Sequence, residues 1–361
     1  MTTLADALRD PIELGQNRPR RFYRGGRLLE AFRGRRGADD DDRPEDWVGS
    51  ATRTWSPPGS PLGDAGRSPI VVGDRRLYLD QALAEAPEAM VGEAWLAAAG
   101  PTLGLLVKLL DAAVRLPVHA HPTRAAAGRL LGSAFGKTEA WIVLGTRDDE
   151  SPARVWAGFR EPVTPALLHE WIETQDVSAM LGALAERAVA AGDVLLIPGG
   201  TPHAIGPGVF LLELQEPTDF SIVAETRGFP ITKADASLGL GWDAALAFFD
   251  TGSPAPDLHA PQPVDDGIER LLGPAADPFF RALRLRVDGS RPWPVMAGFA
   301  IGIGLAGSGA VVGPRVRLAL GRGATFALPA SAAAGATLEG DGLELVVCLP
   351  PEPDAFTSEP A

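Results

Sequence analysis

The sequence has a single cysteine, Cys348, among its 361 residues. An intramolecular disulfide is therefore excluded, and so is a closed structural zinc site built from several cysteines. The chain also lacks a run of about 18 apolar residues, so no membrane span is expected. Its first residues include Asp6 and Asp10 and have no apolar core of the length found in secretory signal peptides. These absences together predict a cytoplasmic protein.

Positive charge is scarce as well. Lys and Arg number 33 against 46 Asp and Glu, which gives a formal net charge of -13. Nucleic acids and anionic membranes are bound through basic patches, so neither is expected as a partner. A small phosphorylated molecule is still compatible, because a few cationic side chains can gather in an acidic protein. Hydrophobic residues make up 45% of the chain, which is enough for a large folded core.

The distribution of apolar residues predicts a mainly β protein with helical insertions. Short apolar segments separated by Gly and Pro are typical of strands, whereas residues 77–99 and 164–191 show helical spacing. A Pro-rich stretch, residues 253–264, is the clearest domain boundary. Beyond it, residues 323–329 repeat the pattern of residues 192–198, and the continued alignment sets Ala334 against His203. This repeat predicts a second, related unit without that histidine.

Three of the five histidines lie in strand-like segments and can form a metal site. His119 and His121 are two residues apart, so on a strand both side chains point to the same face. Glu139 stands at the start of the next strand-like segment, and His203 follows the segment 192–198. Three imidazoles and one carboxylate suit zinc, iron, manganese, nickel or cobalt, and they leave coordination positions open for a substrate.

The order of these residues is similar to the ligand order of cupin barrels: His-x-His, then Glu, then a distant His after Gly-Asp-x4-Pro. The resemblance implies two cupin-type β-barrels (jelly rolls), the second without metal ligands, plus a helical segment. The predicted domains are residues 1–252, a metal-binding cupin domain that contains both helical insertions, and residues 265–361, a degenerate cupin-like domain. Residues 253–264 form the predicted linker.

The motifs around the ligands resemble those of class I mannose-6-phosphate isomerases. They are Trp-x-Gly-Ser at 47–50, Lys-Leu-Leu-Asp-Ala at 108–112, Gly-Lys-Thr-Glu-Ala-Trp at 136–141 and Pro-x-Gly-Thr-x-His-Ala-Ile-Gly at 198–206. The resemblance implies a zinc-dependent isomerase that interconverts an aldose phosphate and its ketose phosphate through a cis-enediol. It implies a sugar or sugar phosphate as the small-molecule partner, and we expect a monomer or homodimer.

The resemblance also assigns roles to individual residues. His121, Glu139 and His203 match family metal ligands, and His119 stands where the family usually has Gln. A neutral imidazole can replace that amide oxygen as a ligand. Lys137 matches the active-site lysine of the family. A further acidic residue of the family's pocket is matched by Glu213.

Two departures from the family concern the substrate. Pro117 stands where the family has a phosphate-binding Ser, and it offers neither a hydroxyl nor an N–H. Val223 stands where the family has an active-site Arg. Nearby, Arg227 is the candidate to replace that arginine, and Glu225 is a second candidate base beside Glu213. Phosphorylation of the substrate is therefore left open, because Arg18 to Arg24, Arg53 or Arg227 could rebuild an anion site.

Two other functions compete with the isomerase. Loss of the arginine at position 223 favours a sugar-binding or sugar-sensing protein that has kept the pocket but not the catalysis. A metal-dependent cupin oxygenase is the other alternative, because a fold does not determine the chemistry performed on it.

Overall fold

The structure is a computed structural model that describes residues 3–56, 63–147, 152–294 and 298–357. Strands dominate these ranges. The strands are β1 Ile12–Glu13, β2 Glu45–Val48, β3 Pro69–Val72, β4 Arg75–Tyr78, β5 Leu106–Asp111, β6 His119–Ala120, β7 Glu139–Thr146, β8 Arg154–Phe159, β9 Leu184–Ala188, β10 Val194–Ile197, β11 His203–Ile205, β12 Val209–Gln215, β13 Ile222–Val223, β14 Gln262–Asp265, β15 Ile268–Arg270, β16 Arg281–Pro292, β17 Ala300–Val312, β18 Arg317–Gly321, β19 Thr325–Leu328 and β20 Thr337–Leu349. The mainly β prediction is confirmed.

Helices are short and lie between the strands. The α-helices are α1 Leu4–Ala7, α2 Arg27–Phe32, α3 Leu79–Glu85, α4 Pro87–Val91, α5 Glu93–Ala99, α6 Arg124–Leu131, α7 Pro165–Thr174, α8 Val177–Ala183, α9 Lys233–Ala236, α10 Trp242–Ala245, α11 Ala330–Ala333 and α12 Pro353–Thr357. Two 3-10 helices cover Leu246–Phe248 and Pro274–Ala276. No helix among the described residues is both long and apolar enough to cross a membrane.

The strands form three large antiparallel sheets and one hairpin, β3–β4. One five-stranded sheet has the order β10-β7-β12-β5-β2, and we call it the carboxylate sheet because it carries Glu45, Glu139 and Glu213. The second has the order β13-β6-β11-β8-β9, and we call it the histidine sheet because it carries His119 and His203. The third, the C-terminal sheet, has the order β1-β19-β17-β20-β16-β15-β14 with β18 paired to β17.

Alternation along the carboxylate sheet determines what each of its faces contacts. In β5, Val107 and Leu109 belong to the large core that also contains Ile301 and Ile303 of the C-terminal sheet. Lys108 and Leu110 point to the opposite face, because successive strand residues alternate. The three sheets therefore lie in layers, with the carboxylate sheet in the middle.

The face toward the histidine sheet is partly apolar and partly charged. Leu110, Trp141 and Val143 pack against Val155 and Ile205 of the histidine sheet in one buried cluster. Burial of each such side chain contributes roughly 1.5–3 kcal/mol. The charged residues of the same face lie beside this cluster, so the apolar contacts hold the two sheets together around a cavity that is charged on its carboxylate-sheet side.

The helical predictions were partly wrong. Residues 77–99 form the end of β4 and three helices, broken at Pro87 and at Gly92, whose φ is +84°. Residues 164–191 contain α7 and α8, but residues 184–188 are strand β9 instead of helix. Leu184 pairs with Phe159 of β8, and both side chains are buried. Pairing with a neighbouring strand overrides the modest helix propensity of the segment.

The predicted linker is held against the molecule. Leu258 forms an isolated bridge with Leu195 of the carboxylate sheet, and the His259 N–H donates to the carbonyl of Val194 at 2.8 Å. Residues 262–264 belong to strand β14, so the linker prediction was wrong over those positions. The two-barrel division into residues 1–252 and 265–361 stays a prediction.

Candidate active site

Three histidines meet between the two five-stranded sheets. His203 of β11 is the direct antiparallel partner of His119 of β6, and their ring centroids are 4.1 Å apart. His121 lies just after β6, and one ring nitrogen of each histidine falls within 4.8 Å of the others. All three side chains are buried. The strand pairing therefore produces the cluster that the His-x-His spacing predicted.

Backbone carbonyls orient each of the three rings. The Nδ1 atoms of His119, His121 and His203 lie 2.8 Å from the carbonyl oxygens of Pro117, Phe220 and Thr201, respectively. A carbonyl oxygen only accepts, so each Nδ1 carries the proton and each Nε2 keeps its lone pair. The Nε2 of His203 is buried and has no hydrogen-bond partner. Such outer hydrogen bonds are the usual means of aiming imidazoles at a metal.

The three imidazoles are neutral in the folded protein. Burial is the main cause that lowers their pKa values, and it brings the pKa of His121 to about 3. The charge of Lys137 lowers the pKa of each histidine further. Neutral imidazole is the form that binds a metal.

Glu139 completes the cluster from the carboxylate sheet. Its Oε2 lies 3.0 Å from Nε2 of His121, and its Oε1 lies 3.4 Å from Nε2 of His203. Trp141 donates from Nε1 to Oε1 at 2.8 Å, and Lys137 Nζ lies 3.1 Å from Oε2. Burial favours the protonated acid, but the positive charge of Lys137 outweighs it and holds the pKa of Glu139 well below its usual value.

This arrangement fits a divalent metal ion. It offers three buried imidazole nitrogens and one ionised carboxylate that converge from two sheets, and it contains the orphaned Nε2 of His203. A buried polar atom without a partner calls for an explanation, and a metal ion is one. Nitrogen and oxygen donors of this kind suit zinc and the neighbouring first-row metals.

A cavity of about 360 Å³ opens beside the cluster. His119, Lys137 and Glu139 line it together with other charged, aromatic and apolar side chains. These others are Arg20, Arg21, Phe22, Tyr23, Glu45, Trp55, Lys108, Leu110, Leu116, Pro117, Ile205, Glu213, Asp219, Ser221, Val223, Pro230, Ile231, Asp235 and Leu238. The volume is at the lower end of the range for small-molecule sites.

A buried ion pair of the carboxylate sheet lies at the cavity wall. Lys108 and Glu213 are direct cross-strand partners, and Nζ of the lysine lies 3.0 Å from Oε1 of the glutamate. Burial is the main cause that raises the pKa of Glu213, and the charge of Glu139 raises it further. Burial opposes the charge of Lys108, but Glu213 and Glu45 outweigh it and raise the pKa of this lysine. Glu213 is therefore a carboxyl whose proton affinity is increased, as proton-transfer groups require.

The polar network of the cavity was not predicted from the sequence, although the stretch Arg18 to Arg24 was a candidate anion site. Tyr23 Oη donates to Oε1 of Glu45 at 2.5 Å, and Arg21 forms two hydrogen bonds with Asp219, at 3.2 and 3.4 Å. Arg21 and Asp219 are 198 positions apart. Lys108 could have been recognised as a buried functional residue, because it is the one charged residue within the apolar run of residues 103–110. The other residues lie in segments where polar and apolar residues are interspersed, so no single charged residue is distinguished from its neighbours.

Two of the expected catalytic residues lie outside the cavity lining. Glu225 forms a bidentate pair with Arg115, at 2.5 and 2.6 Å, and accepts from the Val118 N–H. Arg227 is exposed, and its guanidinium donates to the carbonyl of Thr174. Neither residue reaches the histidine cluster. Their assignment from chain proximity is therefore not supported by geometry, because the strand after Asp219 turns them away.

Known proteins resemble this chain in sequence. The Bacillus subtilis protein named probable mannose-6-phosphate isomerase GmuF is 26% identical over 241 residues, which cover 64% of this chain and 70% of the relative. The mannose-6-phosphate isomerase of Streptococcus mutans is 29% identical over 228 residues, which cover 62% of this chain and 68% of the relative. No protein-family model matches the chain. The resemblance predicted from the motifs is confirmed.

Solved structures resemble it over nearly its whole length. The Bacillus subtilis mannose 6-phosphate isomerase structure has a TM-score of 0.71 and 21% identity, and the match covers 94% of this chain and 99% of that one. A variant of phosphomannose isomerase from Salmonella typhimurium has a TM-score of 0.68 and 17% identity, with 94% and 99% covered. At these identities the structures show the fold. They confirm the mainly β, cupin-type fold class, and the division into two barrels stays a prediction.

Proposed function

We infer that this chain is a divergent member of the mannose-6-phosphate isomerase family and a metal-dependent aldose–ketose isomerase. One observation carries the proposal. Glu213, a buried carboxyl with a raised pKa, lines the same cavity as His119 and Glu139 of the histidine cluster. Moving a proton between neighbouring sugar carbons requires a proton-transfer group and a metal ion that stabilises the negative charge on the oxygens. The sequence relatives support the same chemistry.

His119, His121, Glu139 and His203 would hold the metal, and zinc is the ion we propose. When bound, the metal supplies positive charge that stabilises the negative charge developing on the sugar oxygens at C1 and C2. The carbonyl partners of the three Nδ1 atoms keep every Nε2 aimed inward. The three rings therefore need little reorientation when the ion binds, whereas Lys137 Nζ, 2.7 Å from Nε2 of His121, would have to withdraw from that nitrogen.

Glu213 is the proposed proton shuttle. As the carboxylate it removes the proton from C2 of the open-chain aldose, which leaves a cis-enediolate, the singly deprotonated form of the cis-enediol. It then delivers a proton to C1, while the hydroxyl proton of O2 passes to O1 and completes the ketose. Lys108 Nζ lies 3.0 Å from Oε1 of Glu213, and this charge contact limits the rotation of the carboxylate. A positioned group of this kind contributes about 10²–10⁴-fold to a rate.

Lys137 is the proposed hydrogen-bond donor to the sugar oxygens. Its Nζ lies 2.7 Å from Nε2 of His121 and 3.1 Å from Oε2 of Glu139, at the boundary between the cluster and the cavity. Its three donor positions allow it to hold Glu139 and a substrate hydroxyl together. Glu225 and Arg227 have no catalytic role in this proposal.

An isotope experiment tests the proposal. Zinc-loaded protein is incubated in D₂O with mannose, fructose and their 6-phosphates, and products and deuterium at C1 and C2 are read by NMR. An isomerase must produce the isomer from at least one pair, and the deuterium bound to carbon then measures how often the proton held by Glu213 exchanges with D₂O before it reaches C1. Glu213→Gln should lower kcat by about 10²–10⁴-fold. Glu225→Gln is the matched control, a buried carboxyl outside the cavity, and should leave kcat of the folded protein within about threefold of the wild type.

Other results would favour the competing functions. Oxygen consumption without isomerisation would favour the oxygenase. Sugar binding by metal-loaded protein, with neither product nor deuterium, would favour the silent sugar-binding protein. Equal kcat losses in Glu213→Gln and Glu225→Gln would contradict the assigned shuttle.

The proposal keeps the expected setting of the enzyme: a cytoplasmic monomer or homodimer that does not act on nucleic acid. The acidic composition and the single cysteine support this setting.

A further inference from the structure

The cations that line the cavity are all held by carboxylates. Lys108 is paired with Glu213 at 3.0 Å, and Lys137 lies 3.1 Å from Glu139. The remaining two, Arg20 and Arg21, are likewise engaged. Their carboxylate partners are Asp42 for Arg20, and Asp219 and Glu45 for Arg21. The cavity lining contains four cations against five carboxylates.

The parts of the chain outside the described ranges add no further cation. Residues 57–62, which follow Trp55 of the cavity, are Pro-Pro-Gly-Ser-Pro-Leu. Residues 1–2, 148–151, 295–297 and 358–361 also contain neither Lys nor Arg. Other arginines close in sequence to the lining are also engaged. Arg115 and Arg227 contact Glu225 and the carbonyl of Thr174 outside the lining. Arg18, Arg24 and Arg53 contact Glu30, the carbonyl of Asp40 and Asp64.

The histidine-sheet side of the cavity is mostly apolar, apart from the Ser221 hydroxyl and the Asp235 carboxylate of the lining. Pro117 lies two residues before His119 and has no N–H, while Val223 is the direct cross-strand partner of His119. The N–H of Val118 already donates to Glu225 at 3.0 Å. Other apolar residues of the lining are Leu116, Ile205, Pro230, Ile231 and Leu238. Neither a side-chain cation nor the Val118 amide is free there to receive an anion.

A phosphate ester would bring about 1.5–2 negative charges and three strongly accepting oxygens into this cavity. Such a group is normally met by arginine forks, by lysine or by free backbone amides. Here it would have to break an existing ion pair and leave a carboxylate without its cation. An uncharged sugar has no such requirement, because its hydroxyls can bond to the paired residues and its C–H face can contact the apolar side.

We propose that the substrate is an aldose or ketose that carries no phosphate, so that the end remote from the reacting carbons is uncharged. This inference rests on the proposed isomerase function and specifies its substrate class. It follows from the paired state of Arg21 and Lys108, from the apolar side at Pro117 and Val223, and from the place of Lys137 beside the metal ligands, where it serves the reacting carbons.

Arg20 is the residue most able to oppose the inference. Its side chain is 70% exposed at the cavity edge, and its pair with Asp42 is a surface pair of small energy. It could release Asp42 for a phosphate at little cost. The experiment therefore includes Arg20→Ala.

The test compares kcat/KM of zinc-loaded protein for free mannose and fructose with kcat/KM for their 6-phosphates. We expect the free sugars to be preferred by at least about 100-fold, because a phosphate lacks a free cation in the cavity. Inorganic phosphate should not compete with the free sugar. Preference for the 6-phosphates, abolished by Arg20→Ala, would overturn the inference while leaving the isomerase function intact.

Calorimetry separates this inference from the proposed function. Titration of zinc-loaded protein with each free sugar and each 6-phosphate measures preference without turnover. If neither class is isomerised, the function fails, but tighter binding of the free sugars would still support the uncharged substrate. Tighter binding of the 6-phosphates, or binding of neither class, would overturn it.

A gain-of-charge variant adds an independent measurement. Val223→Arg places a cation on the apolar side, and Val223→Met is the control for side-chain length. The ratio of kcat/KM for 6-phosphate to free sugar should rise at least about tenfold in Val223→Arg relative to Val223→Met. An unchanged ratio in folded, metal-loaded Val223→Arg would count against the inference. If this variant does not fold, the wild-type ratio and the calorimetry decide.

Discussion

Replacing Lys108 by Met should destabilise the protein in a pH-dependent way. The ammonium is 3% exposed and lies 3.0 Å from Glu213 and 3.8 Å from Glu45. Removing one partner of a buried ion pair leaves an uncompensated charge, which costs about 3–5 kcal/mol. Met fills a similar volume, so little of the loss comes from a cavity. The free energy of unfolding of metal-free protein should therefore fall by about that amount at pH 8.

The loss should shrink as the pH is lowered. The pKa of Glu213 is already raised above its ordinary 4.5, and loss of the lysine charge raises it further. A carboxyl with a raised folded-state pKa binds a proton more readily in the folded state, so stability is lost as the pH rises through that pKa. The slope is about 1.4 kcal/mol per pH unit for one proton. The deficit relative to wild type should be smallest near pH 5 and largest at pH 8.

Urea denaturation of chelator-treated protein at pH 5, 6, 7 and 8 measures this deficit. Lys108→Met combined with Glu213→Gln is the informative control, since it removes both charges while Glu45 keeps Arg21 and Tyr23. The double variant should be more stable at pH 8 than Lys108→Met alone, with a nearly pH-independent deficit. An equal deficit at every pH, with no recovery in the double variant, would refute the reasoning.

Three further predictions concern the metal, a buried hydroxyl and a backbone position. His203→Ala removes the buried Nε2 that has no hydrogen-bond partner. Zinc at about 1,000 times its Kd should stabilise the wild type by about 4 kcal/mol. A zinc titration followed by Tm should show that the variant loses most of this stabilisation. Tyr23→Phe leaves a buried oxygen of Glu45 without its donor and should cost about 1–3 kcal/mol in urea denaturation, whereas Tyr78→Phe, at an exposed hydroxyl, should cost far less. Gly158 has a φ of +71°, and an added Cβ would lie 2.2 Å from the carbonyl oxygen of Pro254. Gly158→Ala should therefore lower the unfolding free energy by at least about 1–3 kcal/mol, while Gly182→Ala, where nothing lies within 4 Å, should not; equal effects would contradict the strain argument.

The sequence motifs predicted the histidine cluster and Glu139, because the spacing and order of these residues can be read without knowing the tertiary structure. His119 and His121 share a face of one strand, and this follows from a period of two without knowledge of any partner. Glu139 and His203 stand at the starts of β7 and β11. Together with His119 and His121 they follow the order of metal ligands along the chain in cupin barrels. The structure brings the three histidines within 4.8 Å of one another, as that order predicted.

Two residues were assigned to the site because they are close to it in sequence, but the direction of the short strand β13 places them elsewhere. Glu225 and Arg227 follow β13 by only a few residues, yet the first is paired with Arg115 and the second lies at the surface. Residues 184–188 become a strand because β8 offers an edge to pair with. Neither outcome is visible in local composition, because both depend on which neighbouring element supplies the hydrogen bonds.

The sequence by itself determined the mainly β composition, the ligand motifs and the substitutions at Pro117 and Val223. Only the tertiary structure decided which charges surround the cavity and which of them are already paired. Arg21 meets Asp219 across 198 positions, and Lys108 meets Glu213 across more than one hundred. Local periodicity encodes the face on which a side chain lies, but the identity of its partner depends on strand order and register. Those are set by packing over the whole chain.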